Sequence, residues 1–204
     1  AEVRFVASGT AANAIALAGN LNVLGSNDLT LTGSINGSGG LTKSGGTTLT
    51  LSGTNSYQGN TNLDAGILKL GSSTALGLGT LNTAAGTTLD ATTAVAINNL
   101  VHLDGTTTIG GSANLGLNGV VSGTGGLVKQ GGATLSLNAA NTYQGDTTLL
   151  GGTLSLGNSL SLGSGALNVN GAATVASSAV INLANQINLN AALTVGGSVD
   201  QTLS

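Results

Sequence analysis

Two tyrosines, the only ones in the chain, stand in the same setting, Asn55-Ser56-Tyr57-Gln58-Gly59 and Asn141-Thr142-Tyr143-Gln144-Gly145. Exposed, such a pair could stack on sugar rings, and two rings in one line could read an elongated polymer. The reading favoured here is structural: each ring closes a corner or covers the core where the chain changes direction. Lys43 and Lys129 are the only charge that recurs, each in a Gly-flanked segment. They could bind a carboxylate or an anionic glycan. The favoured expectation is a stem lying along the fold with its ammonium in water, where the charge also discourages edge-to-edge association.

The acids do not recur. At an offset of 86 residues Asp64 meets Leu150, Asp90 meets Ala176, Asp104 meets Asn190, and Asp146 meets Asn60. Polysaccharide cleavage needs juxtaposed carboxylates, often beside a metal or a base. Only stacked turns could bring two of these acids together, with Asp64 and Asp90 as the candidates, and turn-forming Asp is the simpler account. His102 lies between Val101 and Leu103, with Asn188 at its equivalent and no nucleophile motif beside it. The Gly-Gly pairs read as corners and not phosphate loops, because no helix follows them. No catalytic, cofactor-binding or metal-ligating residue is expected.

What positions these residues is a repeat. Gly39-Gly40-Leu41-Thr42-Lys43 returns 86 residues later as Gly125-Gly126-Leu127-Val128-Lys129, and from Gly39 to Gly71 19 of 33 positions are identical in the second copy. The offset holds without a gap through weaker stretches, such as Gly110-Gly111-Ser112 over Gly196-Gly197-Ser198. A gapless period means one structural unit stacked on its copies. The chain therefore reads as one continuous segment, with a partial unit over 1–38, a full unit over 39–124 and a partial unit over 125–204.

The composition suits a narrow stacked core. Hydrophobic residues make up 40% of the 204 positions but aromatics only 1% and charged residues 5%, with 35 glycines and no Pro, Cys, Met or Trp. Disorder needs low hydrophobicity and high charge, whereas the formal charge is −3 and the mean hydropathy +0.35. Four Lys and Arg argue against a nucleic-acid surface. No apolar run reaches the roughly 18 residues of a membrane helix, and no cysteine supports a disulfide framework.

Short alternations bounded by Gly, Asn or Ser fill the chain, among them Leu49-Thr50-Leu51-Ser52 and Leu135-Ser136-Leu137-Asn138. Alternation is the mark of the half-buried strand. The fold class is all-β, a parallel β-solenoid. Four turns of about 21–22 residues per unit give about nine to ten turns, near 45 Å at the usual strand spacing. The inward set is expected to include Leu29, Leu31, Leu49, Leu51, Leu68, Leu70, Leu135, Leu137, Leu154 and Leu156, with Asn and Thr ladders at the corners. Both ends cut the pattern at arbitrary points, so the expectation is a slice of a longer protein.

The segment from Gly40 to Leu68 closely resembles the autotransporter-associated β-strand repeat, also called the passenger-associated transport repeat. Its marks are Gly40, Leu41, Lys43, Leu49, Leu51, Asn55, Tyr57, Gly59 and Gly66. The second copy carries Gly126, Leu127, Lys129, Leu135, Leu137, Asn141, Tyr143, Gly145 and Gly152. It departs at Asn138-Ala139-Ala140, where the first reads Ser52-Gly53-Thr54. The resemblance implies a right-handed parallel β-helix from a bacterial passenger, exported by type V secretion through an outer-membrane barrel. It also implies a cell-surface or extracellular location, and a repeat that aids secretion by folding outside the cell. A structural stalk of an adhesin, projecting a functional tip, is the expected role. Alternatives are a fibre module assembling end to end into filaments for biofilm or cell–cell contact, and a carbohydrate-active enzyme on the same scaffold. The expected partners are neighbouring turns, then further copies of the chain, with a glycan or surface ligand that no residue identifies.

Overall fold

The computed structural model describes residues 2–5, 8–197 and 201–203. Strands of three to five residues follow one another, and every strand pairing among them is parallel. Leu at alternate positions points inward and Thr, Ser or Asn outward, so three residues suffice for one rung. In Leu29–Leu31, Leu41–Lys43 and Thr147–Leu149 the first and last side chains are buried and the middle one half-buried. Gly and Asn then break each alternation and turn the chain onto the next face.

Each turn visits three faces. The second face is an unbroken ten-stranded sheet from Gly9–Ala11 to Ile187–Leu189, so nine steps separate its ends, about 43 Å at the usual spacing. The first face is a seven-stranded sheet from Glu2–Phe5 to Val121–Gly123, resumed by Ile181–Leu183 and Gln201–Leu203. The third begins with Ile15–Leu17 and Ile35–Gly37 and resumes as six strands from Val95–Ile97 to Leu193–Gly197. The core is the single column enclosed by the three faces. All ten leucines expected to point inward are at most 3% exposed.

The turn is shorter than the repeat suggests. Leu41 pairs with Thr61, Thr61 with Leu81, Leu81 with Val101 and Val101 with Val121, a step of 20 residues each time. Four turns from Leu41 thus end at Val121 on the same face. The repeat equivalent of Leu41 is Leu127, which lies six residues further on and belongs to the second face. The expected turn of 21–22 residues is therefore corrected: 86 residues make four and one third turns. The error came from dividing the period by a whole number. With three near-equivalent faces of six or seven residues, a repeat can equally close on the next face, because each face offers the same inward alternation.

Candidate functional site

The recurring polar residues are turned inward in both copies, each at its own place in the turn. Lys43 ends the strand Leu41–Lys43 with its side chain turned inward, and only 1% of its surface is exposed. Its Nζ donates to the carbonyls of Gly45 and Ala65, the second on the following turn. Lys129 is fully buried and its Nζ donates to the carbonyls of Gln130, Gly131 and Gly151, at 2.7, 3.0 and 3.5 Å. The expectation of an ammonium in water is overturned. The corner turns its carbonyls inward, and a long cationic donor is the group that satisfies several at once. Burial lowers the pKa of both lysines, opposed by the charge of Asp28 at Lys43 and of Asp90 at Lys129.

Asn55 and Asn141 repair the gaps in the sheets. The segment Asn55–Tyr57 interrupts the third face, and Asn141–Tyr143 interrupts the first. Asn55 Oδ1 accepts from the Ile35 N–H at 2.8 Å, and its Nδ2 donates to the Ala75 carbonyl at 2.7 Å. Asn141 does the same between Val121 N–H and the Ser161 carbonyl, at 2.8 and 2.7 Å. A carboxamide carries donor and acceptor together, so one side chain replaces the missing ladder bonds to the turn on either side.

The tyrosines follow directly and are fully buried. Tyr143 Oη shares a hydrogen bond with Thr147 Oγ1 at 2.6 Å, and Tyr57 with Thr61 in the same way. Burial pushes both phenols up to about 12, against a smaller lowering by the threonine hydroxyls. The favoured structural reading stands. The sugar-stacking alternative fails on burial and also on geometry, since the rings lie on different faces. Thr61 and Thr147 were missed as site residues, although their recurrence 86 residues apart inside Gly-x-Thr was visible. Asn99 and Asn185 were missed as well: each donates its Nδ2 to two glycine carbonyls of the preceding turn, Gly77 and Gly79 or Gly163 and Gly165.

The glycines serve close stacking. Gly66 and Gly152 have φ of +77° and +72°, and a Cβ at either would lie 2.4 Å from the carbonyl of Gly45 or Gly131. Gly59 and Gly145 sit on Gly39 and Gly125 of the previous turn, with Cβ contacts of 2.5 to 2.7 Å. A Cβ at Gly40 or Gly126 would strike the carbonyl of Asn60 or Asp146. Leu41, Leu49, Leu51, Leu127, Leu135 and Leu137 are buried in the shared core.

Three acids, Asp28, Asp90 and Asp146, accept hydrogen bonds from the next turn. Asp28 Oδ1 accepts from Thr48 N–H at 2.8 Å, and its repeat equivalent Asn114 accepts from Thr134 N–H at 2.9 Å. Asp146 and Asn60 bind Ala166 and Thr80 N–H in the same manner. An Asp and an Asn both offer the acceptor oxygen these N–H groups need, so Asp28 has Asn114 and Asp146 has Asn60 as its equivalent; Asp146 Oδ2 accepts in addition from Asn168 Nδ2 at 3.0 Å. Asp64 accepts weakly from Ser44, whereas Asp90 takes Lys69 at 3.4 Å, Ser112 Oγ at 2.5 Å and two backbone N–H groups. Burial alone would raise the Asp90 carboxyl, but the Ser112 and Ala91 hydrogen bonds and Lys69 outweigh it and hold the pKa below its ordinary value. His102 stands between Ser122 at 3.2 Å and Asp104 at 3.3 Å, with His102 and Asp104 46% and 63% exposed. Ser122 also donates to the Val101 carbonyl, so the three make a solvated surface cluster and not a sheltered nucleophile. Among the described residues no three of His, Cys, Asp and Glu gather to hold a metal.

These two sets of buried residues lie within the matches of a family model, described as the passenger-associated-transport-repeat, at residues 41–70 and 127–156. The chain carries two passenger-associated transport repeats. Each repeat spans one lysine cage, one asparagine bridge and one buried tyrosine, with one positive-φ glycine in the first, Gly66, and two in the second, Gly131 and Gly152. Neither a curated protein nor a solved structure matches the chain. The repeat thus defines a way of joining turns, and its chemistry is spent inside the solenoid.

Proposed function

We propose that the chain is a stalk segment of an autotransporter passenger, a secreted or cell-surface protein in which it holds a functional tip away from the membrane. The observation that carries this reading is the internal use of the polar side chains. The side chains best suited to recognition are used inside instead: the asparagines bind the turns on either side, the lysines their own corner and the following turn, and the tyrosines a threonine four residues on. A rod whose polar groups are consumed internally gains stiffness with each turn, and each new turn buries its inward face on the last. Folding outside the cell would then oppose backward sliding of the chain during export. The repeats contribute by making two junctions where a strand is absent as cohesive as the ladders around them. No catalytic role is assigned: Asp28, Asp90 and Asp146 serve backbone N–H groups, Asp64 takes only the Ser44 hydroxyl, and the histidine cluster is solvated.

The test is surface display of a parent passenger, with its own outer-membrane barrel, carrying Asn55→Ala and Asn141→Ala. Reduced protease-accessible passenger at the surface, with normal barrel insertion, supports export aided by folding. Unchanged display by a variant that is measurably less stable in solution would overturn that part of the reading.

A further inference from the structure

Five side chains form an exposed apolar file along one corner of the solenoid. Leu100, Val120, Ala140, Leu160 and Val180 follow one another at 20 residues, one per turn, and all are exposed. The four larger ones show 56, 36, 59 and 76% of their surface. Their register is fixed by the backbone, because the carbonyls of Leu100, Val120 and Leu160 accept from Leu81, Val101 and Asn141 N–H at 2.9 to 3.0 Å. The corner itself does not require apolar residues. Earlier in the chain the same position holds Asn20, Gly40, Asn60 and Thr80. Scattered exposed leucines are ordinary, but a continuous file at the spacing of one rung is not.

We propose that this file is a lateral interface between two copies of the chain, packed antiparallel about a two-fold axis at Ala140. A partner must offer apolar groups repeating at about 4.8 Å along a line some 19 Å long, which is the spacing of another parallel solenoid. The file is complementary to itself in size. Antiparallel packing sets Leu100 against Val180 and Val120 against Leu160, with Ala140 meeting its own copy, so each outer rung joins one leucine to one valine. Parallel packing would set leucine on leucine and valine on valine, and the gap between rods would widen and narrow from rung to rung. Among the described residues no Lys, Arg, Asp or Glu falls in the file or at the sequence positions on either side of it. Its rim is the ladder Asn98, Asn118 and Asn138, hydrogen-bonded at 2.9 and 2.7 Å and exposed. Such a rim tolerates a neighbour without burying charge.

The file and rim would bury on the order of 800 Å² in total, the low end for specific association, so one segment pairs weakly. Longer arrays of such corners would add avidity. On the proposed reading as a surface stalk, antiparallel partners are rods approaching from facing cells. The pairing itself does not depend on that reading.

The absence of cysteine gives a clean test. Ala140→Cys, oxidised in dilute solution, is expected to form a disulfide dimer at least tenfold faster than Asp104→Cys, an exposed position outside the file. Leu100→Cys is expected not to cross-link with itself but to cross-link when mixed with Val180→Cys. Adding Leu160→Thr to Ala140→Cys should slow dimer formation without changing the thermal unfolding of the monomer. Cross-linking of Leu100→Cys with itself would overturn the antiparallel arrangement. A rate for Ala140→Cys equal to that of Asp104→Cys would overturn the interface. Either failure would leave the stalk reading untouched, since display at the surface is measured separately.

Discussion

The two repeats, 41–70 and 127–156, sit on different faces yet build the same junction. In the first copy the break falls on the third face, and in the second on the first face. Across the 33 aligned positions from Gly39 to Gly71, every buried residue of the first copy is retained in the second except Gly53, which becomes Ala139. The outward positions change freely: Thr42 becomes Val128, Thr50 becomes Ser136 and Lys69 becomes Ser155. Selection of residue type therefore follows the inside of the junction and not the direction in which it faces. That is the pattern of a joint, and a binding surface would show the reverse. The copies also differ in strength of support, for Lys129 reaches three carbonyls where Lys43 reaches two.

The largest break in the equivalence of the copies should come from the glycines. Gly66→Ala and Gly152→Ala each force a Cβ into a carbonyl at positive φ, and each is expected to cost about 3 kcal/mol or more in chemical denaturation. Gly46→Ala and Gly132→Ala have open space before them and should stay within about 0.5 kcal/mol. If all four behaved alike, close stacking would not explain the glycines.

Next come the lysines. Lys43→Met and Lys129→Met remove a buried charge but orphan backbone carbonyls, with an expected net loss of about 1–3 kcal/mol. The loss should be greater at Lys129, and equal losses in urea melts would contradict the difference in caging.

The tyrosines set a pH dependence of the same order. Their folded pKa of about 12 lies above the unfolded value of 10.0, so their stabilisation is complete below pH 10 and is lost as pH rises towards 12. The lysines act in the opposite sense: with folded pKa values below 10.5, they add stability as pH climbs towards that value. The denaturation midpoint should therefore fall steeply only above pH 10, together with the rise of tyrosinate absorbance. Tyr57→Phe with Tyr143→Phe should remove that fall and cost about 1 kcal/mol per site at neutral pH through the unpaired threonine. A fall that survives the double substitution would place its origin elsewhere.

The smallest effect is expected at Asp146→Asn, which keeps the acceptor for Ala166 N–H, as Asn60 does for Thr80, and gives up only the exposed bond from Asn168 Nδ2. A change within about 0.5 kcal/mol is expected.

Much of this was legible in the residues themselves. Alternating Leu at Leu49-Thr50-Leu51 or Leu135-Ser136-Leu137 defines inward and outward faces directly, because strand geometry has period two. The repeat and its marker residues were equally plain. The direction of Lys43 and Lys129 was not, since a lysine usually keeps its ammonium in water, and only the inward-facing carbonyls of the Gly45 and Gly131 corners reverse that preference. Nor was the turn length, since the sequence repeats in residues while the fold repeats in faces. Thr61 and Thr147 recur in the sequence, but only the inward placing of the tyrosines reveals their partner.

The central claim is that 86 residues make four and one third turns and carry the repeat to the next face. Spin labels in the cysteine-free chain measure this directly, with Thr42→Cys paired to Ser122→Cys in one sample and to Val128→Cys in another. Thr42 and Ser122 share one file four rungs apart, so that pair should give the shorter distance, about 19 Å between backbones. The pair Thr42 and Val128 should be longer, because it crosses to the neighbouring face. The reverse order would mean that the repeat closes on whole turns, and the account would fail.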